Sequence, residues 1–304
     1  MAQWSASDRA NEQRHVGTSP GLYNEGGLRQ FAIRTESRRV PLSSANPSER
    51  FIEAASLKIE VMTGGSGAPL LVLHHDIGNQ GWIPFYEQLA RDFTVLVPSH
   101  PGYGKSSRPD WMRSVRDMAL VYQSILGALR LERTAVVGLG FGGWVAAEIA
   151  LACPHRFDRM VLVGSAGIQP TSSEIFDQFI VNTIDYLRTG FANPADFEKT
   201  YGANIDGARL EAWELAREMT TRIAWKPYMF DQAMPYLAGT IGASVMLVHG
   251  SEDRIVPLSC SQRYASLIAG AKLNVIDGAG HFVEAERPAE LAAMVKAFVA
   301  GVAR

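Results

Sequence analysis

Cysteine is almost absent from this 304-residue sequence, which contains only Cys153 and Cys260. Two cysteines so far apart, with no CxxC pair and no Cys/His cluster, are typical of free buried thiols in a reducing compartment and predict no metal site. Long apolar runs are also missing. The polar N-terminus lacks the apolar core of a signal peptide, and no stretch reaches the ~18 apolar residues of a membrane span. We therefore expect a cytoplasmic protein that makes no membrane contact.

Charge of one sign is equally scarce. The 29 Lys and Arg residues nearly balance the 31 Asp and Glu residues, which gives a net charge of −2. Because no basic stripe is present to neutralise phosphates, nucleic-acid binding is not expected. The glycines of residues 138–143 lie deep in the chain, without a ribose-binding acid at the spacing of a dinucleotide-binding unit. The sequence therefore predicts no cofactor, and a small-molecule substrate as the partner.

Short apolar runs and helical patterns alternate along most of the chain. Two predicted strands at residues 51–56 and 57–62 are followed by runs typical of strands buried on both faces, at residues 69–74, 93–97, 133–137, 160–163 and 245–249. Helical spacing appears between them, for example over residues 115–131. Because alternating strands and helices indicate a parallel sheet with right-handed crossovers, we predict an α/β fold with helices on both faces.

This pattern divides the chain into four segments. Residues 1–49 have little periodicity and are interpreted as an N-terminal arm that packs over the domain or over a partner subunit in a homodimer, with a frayed tail as the alternative. Residues 50–168 and 241–304 form the two parts of the α/β core. Residues 169–240 are helical in pattern and hold 11 of the 28 aromatic residues. This inserted block is expected to be a lid, although its aromatics could equally form its own core.

Polar residues collect where the predicted strands end, which is the edge at which open parallel sheets bind their ligands. Among these segments are GLGFGG at residues 138–143, HGSEDRIVP at 249–257 and GAGH at 278–281. The arrangement resembles the α/β-hydrolase superfamily, in the branch with a lid that contains esterases, epoxide hydrolases, dehalogenases and carbon–carbon bond hydrolases. The resemblance covers about residues 50–304. It implies an eight-stranded, mostly parallel sheet, with the acid and base on the last two segments.

The sequence departs from the family pattern at the turn after the strand at 133–137. The family has Gly-x-Ser-x-Gly there, sometimes with Asp or Cys at the centre, whereas this chain has Gly-Leu-Gly-Phe-Gly at residues 138–142. The nucleophile position therefore falls on Gly140, which has no side chain and can form no covalent intermediate. The backbone N–H of Phe141 remains a candidate oxyanion donor. Loss of the hydroxymethyl group is expected to leave room for a water or a substrate atom.

The base and the acid implied by the resemblance are His281 and Asp253. His281 would face Gly140, and Asp253 would fix the tautomer of the imidazole and stabilise its protonated form. A single histidine more often makes a structural hydrogen bond. Because an acidic residue lies on the matching loop, we nevertheless predict a His281–Asp253 dyad.

Other residues are candidates for oxyanion stabilisation or substrate binding. His74-His75-Asp76 stands where family members commonly carry His-Gly. The Asp76 carboxylate would repel an oxyanion unless it were protonated or turned away. It could instead contact a substrate hydroxyl, a cation or His75, or cap its own turn. His100 could face the pocket, although a surface position is favoured. Three residues of the lid resemble substrate-facing residues, namely Trp225, Lys226 and Tyr228.

Three functions are compatible with these residues. The first is an enzyme without a covalent nucleophile, in which the dyad acts as a general base for non-covalent hydrolysis or lyase-type cleavage of a small apolar or aromatic substrate. The second is a non-catalytic protein that binds or senses a ligand. The third is a serine hydrolase disarmed by a Ser-to-Gly change at residue 140. Further departures at His75 and His100 favour a natural variant over the third interpretation.

Overall fold

The computed structural model describes residues 47–301. Within this range a single sheet has the strand order β1-β2-β4-β3-β5-β6-β7-β8. The strands are β1 Ser48–Ala54, β2 Leu57–Gly64, β3 Ala68–Leu73, β4 Phe93–Pro98, β5 Thr134–Leu139, β6 Phe157–Val163, β7 Ser244–Gly250 and β8 Lys272–Ile276. The pairs β1/β2 and β2/β4 are antiparallel, and the other five neighbouring pairs are parallel. The predicted mostly parallel sheet of an α/β fold is confirmed.

Helices connect and cover these strands. They are α1 Pro84–Leu89, α2 Val115–Ala128, α3 Phe141–Ala152, α4 Thr183–Thr189, α5 Pro194–Tyr201, α6 Gly207–Ala224, α7 Met234–Leu237, α8 Leu258–Leu267, α9 Val283–Glu286 and α10 Pro288–Val299. None of the helices within residues 47–301 is both long enough and apolar enough to cross a bilayer.

The sheet separates two apolar cores, one on each face. On β3, Leu71 and Leu73 belong to the core that includes α2 and α3, whereas Leu70 and Val72 pack in the core that includes α1 and α10. Successive side chains of a strand point to opposite faces, and both faces are covered here. This double burial explains why the central strands are apolar throughout instead of alternating between apolar and polar residues.

Several predicted boundaries differ from the observed ones by a few residues, and two of these differences are instructive. The first strand begins at Ser48, so the last two residues of the predicted arm belong to the sheet; residues 1–46 of the arm lie outside the described residues. The helix predicted over residues 115–131 ends at Ala128. The reason is local, because Arg130 has a positive φ of 58°, which is incompatible with a continued right-handed helix.

The chain leaves the sheet after β6 and returns to it at β7. Between them lie α4 to α7 and two 3₁₀ turns, Gln178–Ile180 and Ala238–Thr240. We call residues 178–240 the inserted helices. An isolated β-bridge joins Phe230, in the segment between α6 and α7, to Gly167 in the loop after β6.

Glycines bring the start of α3 against the sheet. A Cβ added at Gly142 would overlap the carbonyl oxygen of Leu73 at the end of β3, and one at Gly138 would overlap the backbone of Gly143. Only a residue without a side chain permits such a close approach. The turn between β5 and α3 is therefore fixed at the carboxyl edge of the sheet, where ligands of open α/β sheets bind.

Candidate active site

The turn between β5 and α3 has a backbone conformation that L-residues rarely adopt. Gly140, the N-cap of α3, has a φ of 51° and a ψ of −110°. Its N–H donates to the carbonyl oxygen of Val163 at 2.8 Å, and its carbonyl accepts from the N–H of Gly143 at 3.1 Å. Glycine tolerates this sharp turn without strain. Phe141 is the first residue of α3, so its N–H has no partner within the helix.

The structure brings His281 and Asp253 together. His281 Nδ1 lies 2.8 Å from Asp253 Oδ2, and both side chains are buried. Asp253 Oδ1 accepts from the backbone N–H groups of Ile255 and Val256 at 2.8 and 2.9 Å. The backbone N–H of His281 donates to the carbonyl of Gly190 at 2.7 Å. Because Nδ1 donates to the carboxylate, Nε2 is the nitrogen that remains able to accept a proton.

Burial and charge act in opposite directions on this dyad. Burial disfavours the ionised carboxyl of Asp253, but hydrogen bonds and the nearby imidazoles outweigh it and lower its pKa. Burial also disfavours protonation of His281. The carboxylates of Asp253, Asp76 and Glu284 outweigh that effect and raise the pKa of His281 above its ordinary value of 6.5. His281 is therefore a stronger base than a free imidazole.

His249 supports the dyad from behind and was missed by the sequence analysis, although it opens the segment that contains Asp253. Its Nε2 lies 3.5 Å from Asp253 Oδ2 and donates to the carbonyl of Val256 at 3.1 Å. Its Nδ1 is 2.8 Å from Ser261 Oγ. Because burial lowers the pKa of His249, this imidazole is neutral and holds the loop that carries the acid.

Two imidazoles converge on Gly140. A Cβ built at Gly140 would overlap His75 Nδ1 and would lie 2.9 Å from His281 Nε2. The two rings meet edge to face, with centroids 5.0 Å apart. The sequence predicts room for a water or a substrate atom at this place. That expectation is wrong for the volume next to the Gly140 Cα, because the His75 ring fills it.

Glu284 lies on the far side of His75 and was also missed, although it follows His281 by only three residues. His75 Nε2 is 3.2 Å from Glu284 Oε1, and both side chains are buried. The approach is too oblique for a hydrogen bond. Among residues 47–301, neither ring nitrogen of His75 nor Oε2 of Glu284 has a hydrogen-bond partner. Sequence separation gave no signal that these two residues meet.

The sequence model of the alpha/beta hydrolase family matches residues 70–294, about three quarters of the chain. This chain belongs to the α/β-hydrolase family. It is 28% identical over 279 residues to a 2-hydroxymuconate semialdehyde hydrolase of Pseudomonas sp. (strain CF600), which covers 83% of this chain and 93% of that protein. It is 29% identical over 256 residues to a putative carbamate hydrolase of Caulobacter sp. (strain K31), covering 77% of this chain and 91% of the relative.

A solved structure agrees with these sequence relatives. The meta-cleavage product hydrolase from Pseudomonas fluorescens IP01, determined as a serine-to-alanine variant with acetates, superposes with a TM-score of 0.72 at 25% identity. The match covers 84% of this chain and 98% of that one. Meta-cleavage product hydrolases are thus among the proteins that this chain resembles in fold.

In this α/β hydrolase, Asp76 contacts the inserted helices. The hydroxyl of Tyr186, on α4, donates to Asp76 Oδ2 at 2.8 Å, and Thr220 Oγ1, on α6, donates to the carbonyl oxygen of Asp76 at 3.1 Å. Of the roles considered from the sequence, turn capping and a bond to His75 are not observed among the described contacts. The tyrosine that holds the carboxylate could not be identified from the sequence, because it lies 110 residues away.

His100 is fully buried, so the predicted surface position is wrong. Its Nε2 donates to the carbonyl of His74 at 3.1 Å, its Nδ1 accepts from the Tyr122 hydroxyl, and its backbone N–H donates to His74 Nε2 at 2.9 Å. The His74 ring stacks on it and donates from Nδ1 to the carbonyl of His75 at 2.7 Å. Burial lowers the pKa of His74 to about 3 and that of His100 well below its usual value. Both are neutral, fully paired supports of the loop after β3.

The predicted lid residues do not contact the dyad in the described structure. Trp225 is 50% exposed, and its indole packs edge-on against Phe179 and Tyr228. Lys226 is exposed. The Tyr228 hydroxyl accepts from the backbone N–H of Gln178 at 2.9 Å and lies 3.2 Å from the carbonyl of Phe176. Trp225 and Tyr228 thus contact their neighbours in and beside the inserted helices, and a substrate-facing role for these residues stays a prediction. No metal-binding group of His, Cys, Asp and Glu was found in residues 47–301.

Proposed function

We propose that this chain is an α/β hydrolase that works without a covalent nucleophile, with Gly140 at the position that carries Ser in the family. His281, oriented by Asp253, acts as the general base. It removes a proton from water during hydrolysis, or from the substrate itself during lyase-type cleavage. The observation that carries this proposal is the pairing of an intact His–Asp dyad with a glycine whose side-chain space is filled by another imidazole.

The mechanism requires one water molecule and one electrophilic carbon. Water donates a proton to His281 Nε2 while its oxygen attacks the substrate carbonyl, and the Asp253 carboxylate stabilises the imidazolium that forms. The N–H of Phe141, which has no partner within the helix, would donate to the developing oxyanion. A positioned base typically contributes about 10²–10⁴-fold, or roughly 2.7–5.5 kcal/mol of barrier. We therefore expect the dyad to support measurable turnover without an acyl-enzyme.

The chemistry of the site favours a neutral substrate of small size. The buried carboxylates of Asp76 and Glu284 lie close enough to His281 to raise its pKa. An anionic group placed among them would meet like charge in a medium of low dielectric constant. A small apolar or aromatic molecule with one polar carbonyl fits this environment. The hydrolase names of the relatives support the reaction class. The carboxylates of Asp76 and Glu284 argue that the substrate of this chain carries no negative charge.

The geometry argues against a serine hydrolase disarmed at one residue. A serine Cβ at Gly140 would overlap His75 Nδ1, so a parent enzyme with serine there would need His75 to move or to be smaller. A simple knockout would leave the original surroundings of the nucleophile in place. A protein that only binds its ligand has no need for a base with a raised pKa, and the dyad therefore favours catalysis.

We expect turnover of 4-nitrophenyl acetate without an acyl-enzyme. Rapid mixing should give product that rises linearly from the first turnover, because no covalent intermediate accumulates. Intact-mass spectra taken during turnover should show only the unmodified protein. A burst of one equivalent together with an acetylated protein would contradict the proposal. Absence of any turnover above that of His281→Gln would favour the ligand-binding interpretation.

The pH profile of kcat/KM provides an independent check. Because His281 must be unprotonated to act as base and its pKa is raised, kcat/KM should rise with pH to a plateau, with a midpoint above 6.5. Asp253→Asn removes the carboxylate that raises the pKa of His281 most, and it should therefore shift the midpoint to lower pH. Ester hydrolysis followed across about pH 5–9 measures both midpoints. A midpoint below 6.5 in the unmodified protein would exclude His281 as the base.

A further inference from the structure

We propose that His75 and Glu284 form a second imidazole–carboxylate pair, in which His75 donates the proton that the leaving group takes up. This inference rests on the proposed function and adds to it a general acid. The pair is separate from the His281–Asp253 dyad, since each imidazole has its own carboxylate. His75 would be a catalytic residue because it touches the reacting atoms, and Glu284 would be a positioning residue that acts through it.

The first argument is the contrast among the histidines of the site. His74 and His100 have both ring nitrogens hydrogen-bonded to protein groups, and His249 likewise uses both. His75 is equally buried, yet within residues 47–301 it uses neither nitrogen in a hydrogen bond. An unsatisfied buried polar group is destabilising by about 1–3 kcal/mol and calls for an explanation. A nitrogen that is reserved for the substrate supplies one.

The second argument is that the two imidazoles are oriented alike, with one ring nitrogen toward a carboxylate and the other toward Gly140. In each pair a carboxylate lies behind one ring nitrogen: Asp253 Oδ2 is 2.8 Å from His281 Nδ1, and Glu284 Oε1 is 3.2 Å from His75 Nε2. The opposite nitrogens, His281 Nε2 and His75 Nδ1, both face the Cβ position of Gly140. Two groups that can carry protons therefore lie side by side at the Gly140 turn, as acid and base catalysis on one substrate requires.

The third argument concerns the surroundings of Glu284. Glu284 lies near two tyrosines, Tyr86 and Tyr201. Burial, and to a smaller extent the charge of Glu284, raises the pKa of both, so both hydroxyls stay neutral. His75 is the basic group within ion-pair distance of this carboxylate. Phe282 packs edge-on against the His75 ring at a centroid distance of 5.0 Å and limits its rotation. Glu284 is thus placed to stabilise a protonated His75 in one orientation.

The step balances in atoms and charge. The step requires that His75 carry a proton on Nδ1 while its Nε2 side pairs with Glu284, and that the Nε2 of His281 be free to accept a proton. Water gives one proton to His281 Nε2, and its oxygen forms the new bond to the carbonyl carbon. The bond to the leaving oxygen breaks, and that oxygen receives the Nδ1 proton of His75. His75 ends neutral and His281 ends protonated. Transfer of that proton back to His75 through solvent or product restores the starting state.

Leaving-group dependence tests this assignment. An alkoxide is a poor leaving group and needs the acid, whereas 4-nitrophenolate departs without protonation. We expect His75→Gln to lower kcat/KM for benzyl acetate about 10²–10⁴-fold, and that for 4-nitrophenyl acetate by no more than about threefold. Glu284→Gln should show the same selectivity with a smaller loss. His155→Gln, at an exposed site, is the matched control and should change neither rate.

The outcomes separate the two proposals. If the parent hydrolyses both esters and His75→Gln lowers kcat/KM equally for both, His75 is not the acid. The proposed base mechanism is then unaffected. If the parent hydrolyses neither ester, both proposals fail. Thermal unfolding of each variant shows whether it is folded. Should His75→Gln be unfolded, the selectivity of Glu284→Gln decides: a selective loss on benzyl acetate supports the pair, and an equal loss or none overturns it.

Discussion

Replacing His281 with Gln should lower kcat/KM by about 10²–10⁴-fold for every ester, which is among the largest effects we expect in this protein. Gln keeps a similar volume but cannot accept and release a proton at neutral pH. His281 Nε2 is the nitrogen that faces Gly140, and its Nδ1 is already bonded to Asp253 at 2.8 Å. No other imidazole of the site is oriented by Asp253 in this way. Steady-state ester hydrolysis measures the loss directly.

Asp253→Asn should have an effect of the same order, because an amide holds the wrong tautomer and cannot stabilise the imidazolium. The exposed His155→Gln again serves as a control and should retain full activity. Thermal unfolding of all three variants separates loss of chemistry from loss of fold. If His281→Gln stayed within about threefold of the parent, the base would have to be another residue. His75 would then be the first candidate.

Gly140→Ser should fail to create a serine hydrolase, despite restoring the family pattern at residues 138–142. Its Cβ would overlap His75 Nδ1, and the φ of 51° with ψ of −110° is strained for any L-residue. We expect a loss of about 1–3 kcal/mol from backbone strain, with the overlap adding to it. The free energy of unfolding from denaturant titration gives the size of the loss, and intact mass should show no acyl adduct.

Two matched variants separate the causes of that loss. Gly270 has a φ of 71° and no neighbour within 4 Å of an added Cβ, so Gly270→Ser reports backbone strain alone. The double variant Gly140→Ser with His75→Gly removes the overlap and should carry an acyl adduct at residue 140. An adduct on Gly140→Ser alone would show that His75 moves aside easily. It would then favour a serine hydrolase disarmed at one position.

Much of the fold could be predicted because burial on both faces of a parallel sheet leaves a clear signal in the sequence. The five apolar runs correspond to β3 to β7, and the segments that follow them carry Gly140, Asp253 and the loop of His75. The base and the acid lie on loops whose spacing along the chain is characteristic. The resemblance of these loops to those of the α/β-hydrolase family implied which two residues meet in the dyad, and the structure places them together.

The direction of loop side chains could not be predicted. His100 is polar and follows a strand, which favours a surface position, yet the His74 ring and the Tyr122 hydroxyl give its nitrogens partners inside the protein. The His75 ring could turn toward solvent or toward Gly140, and its orientation is set by contacts with Phe282, His281 and Glu284 that the sequence does not reveal. Glu284 was missed because nothing in its spacing distinguishes a buried carboxylate from the solvated acidic residues of a short helix.

The shared volume beside Gly140 has a consequence for how this sequence can change over generations. The side chain of residue 75 and the side chain of residue 140 compete for the same space, so each limits what the other can be. A return to serine at position 140 would have to follow, or coincide with, a reduction at position 75. The two positions are therefore expected to change together, because a larger residue at position 140 alone overlaps the His75 ring, and a smaller residue at position 75 alone leaves an unfilled space beside Gly140.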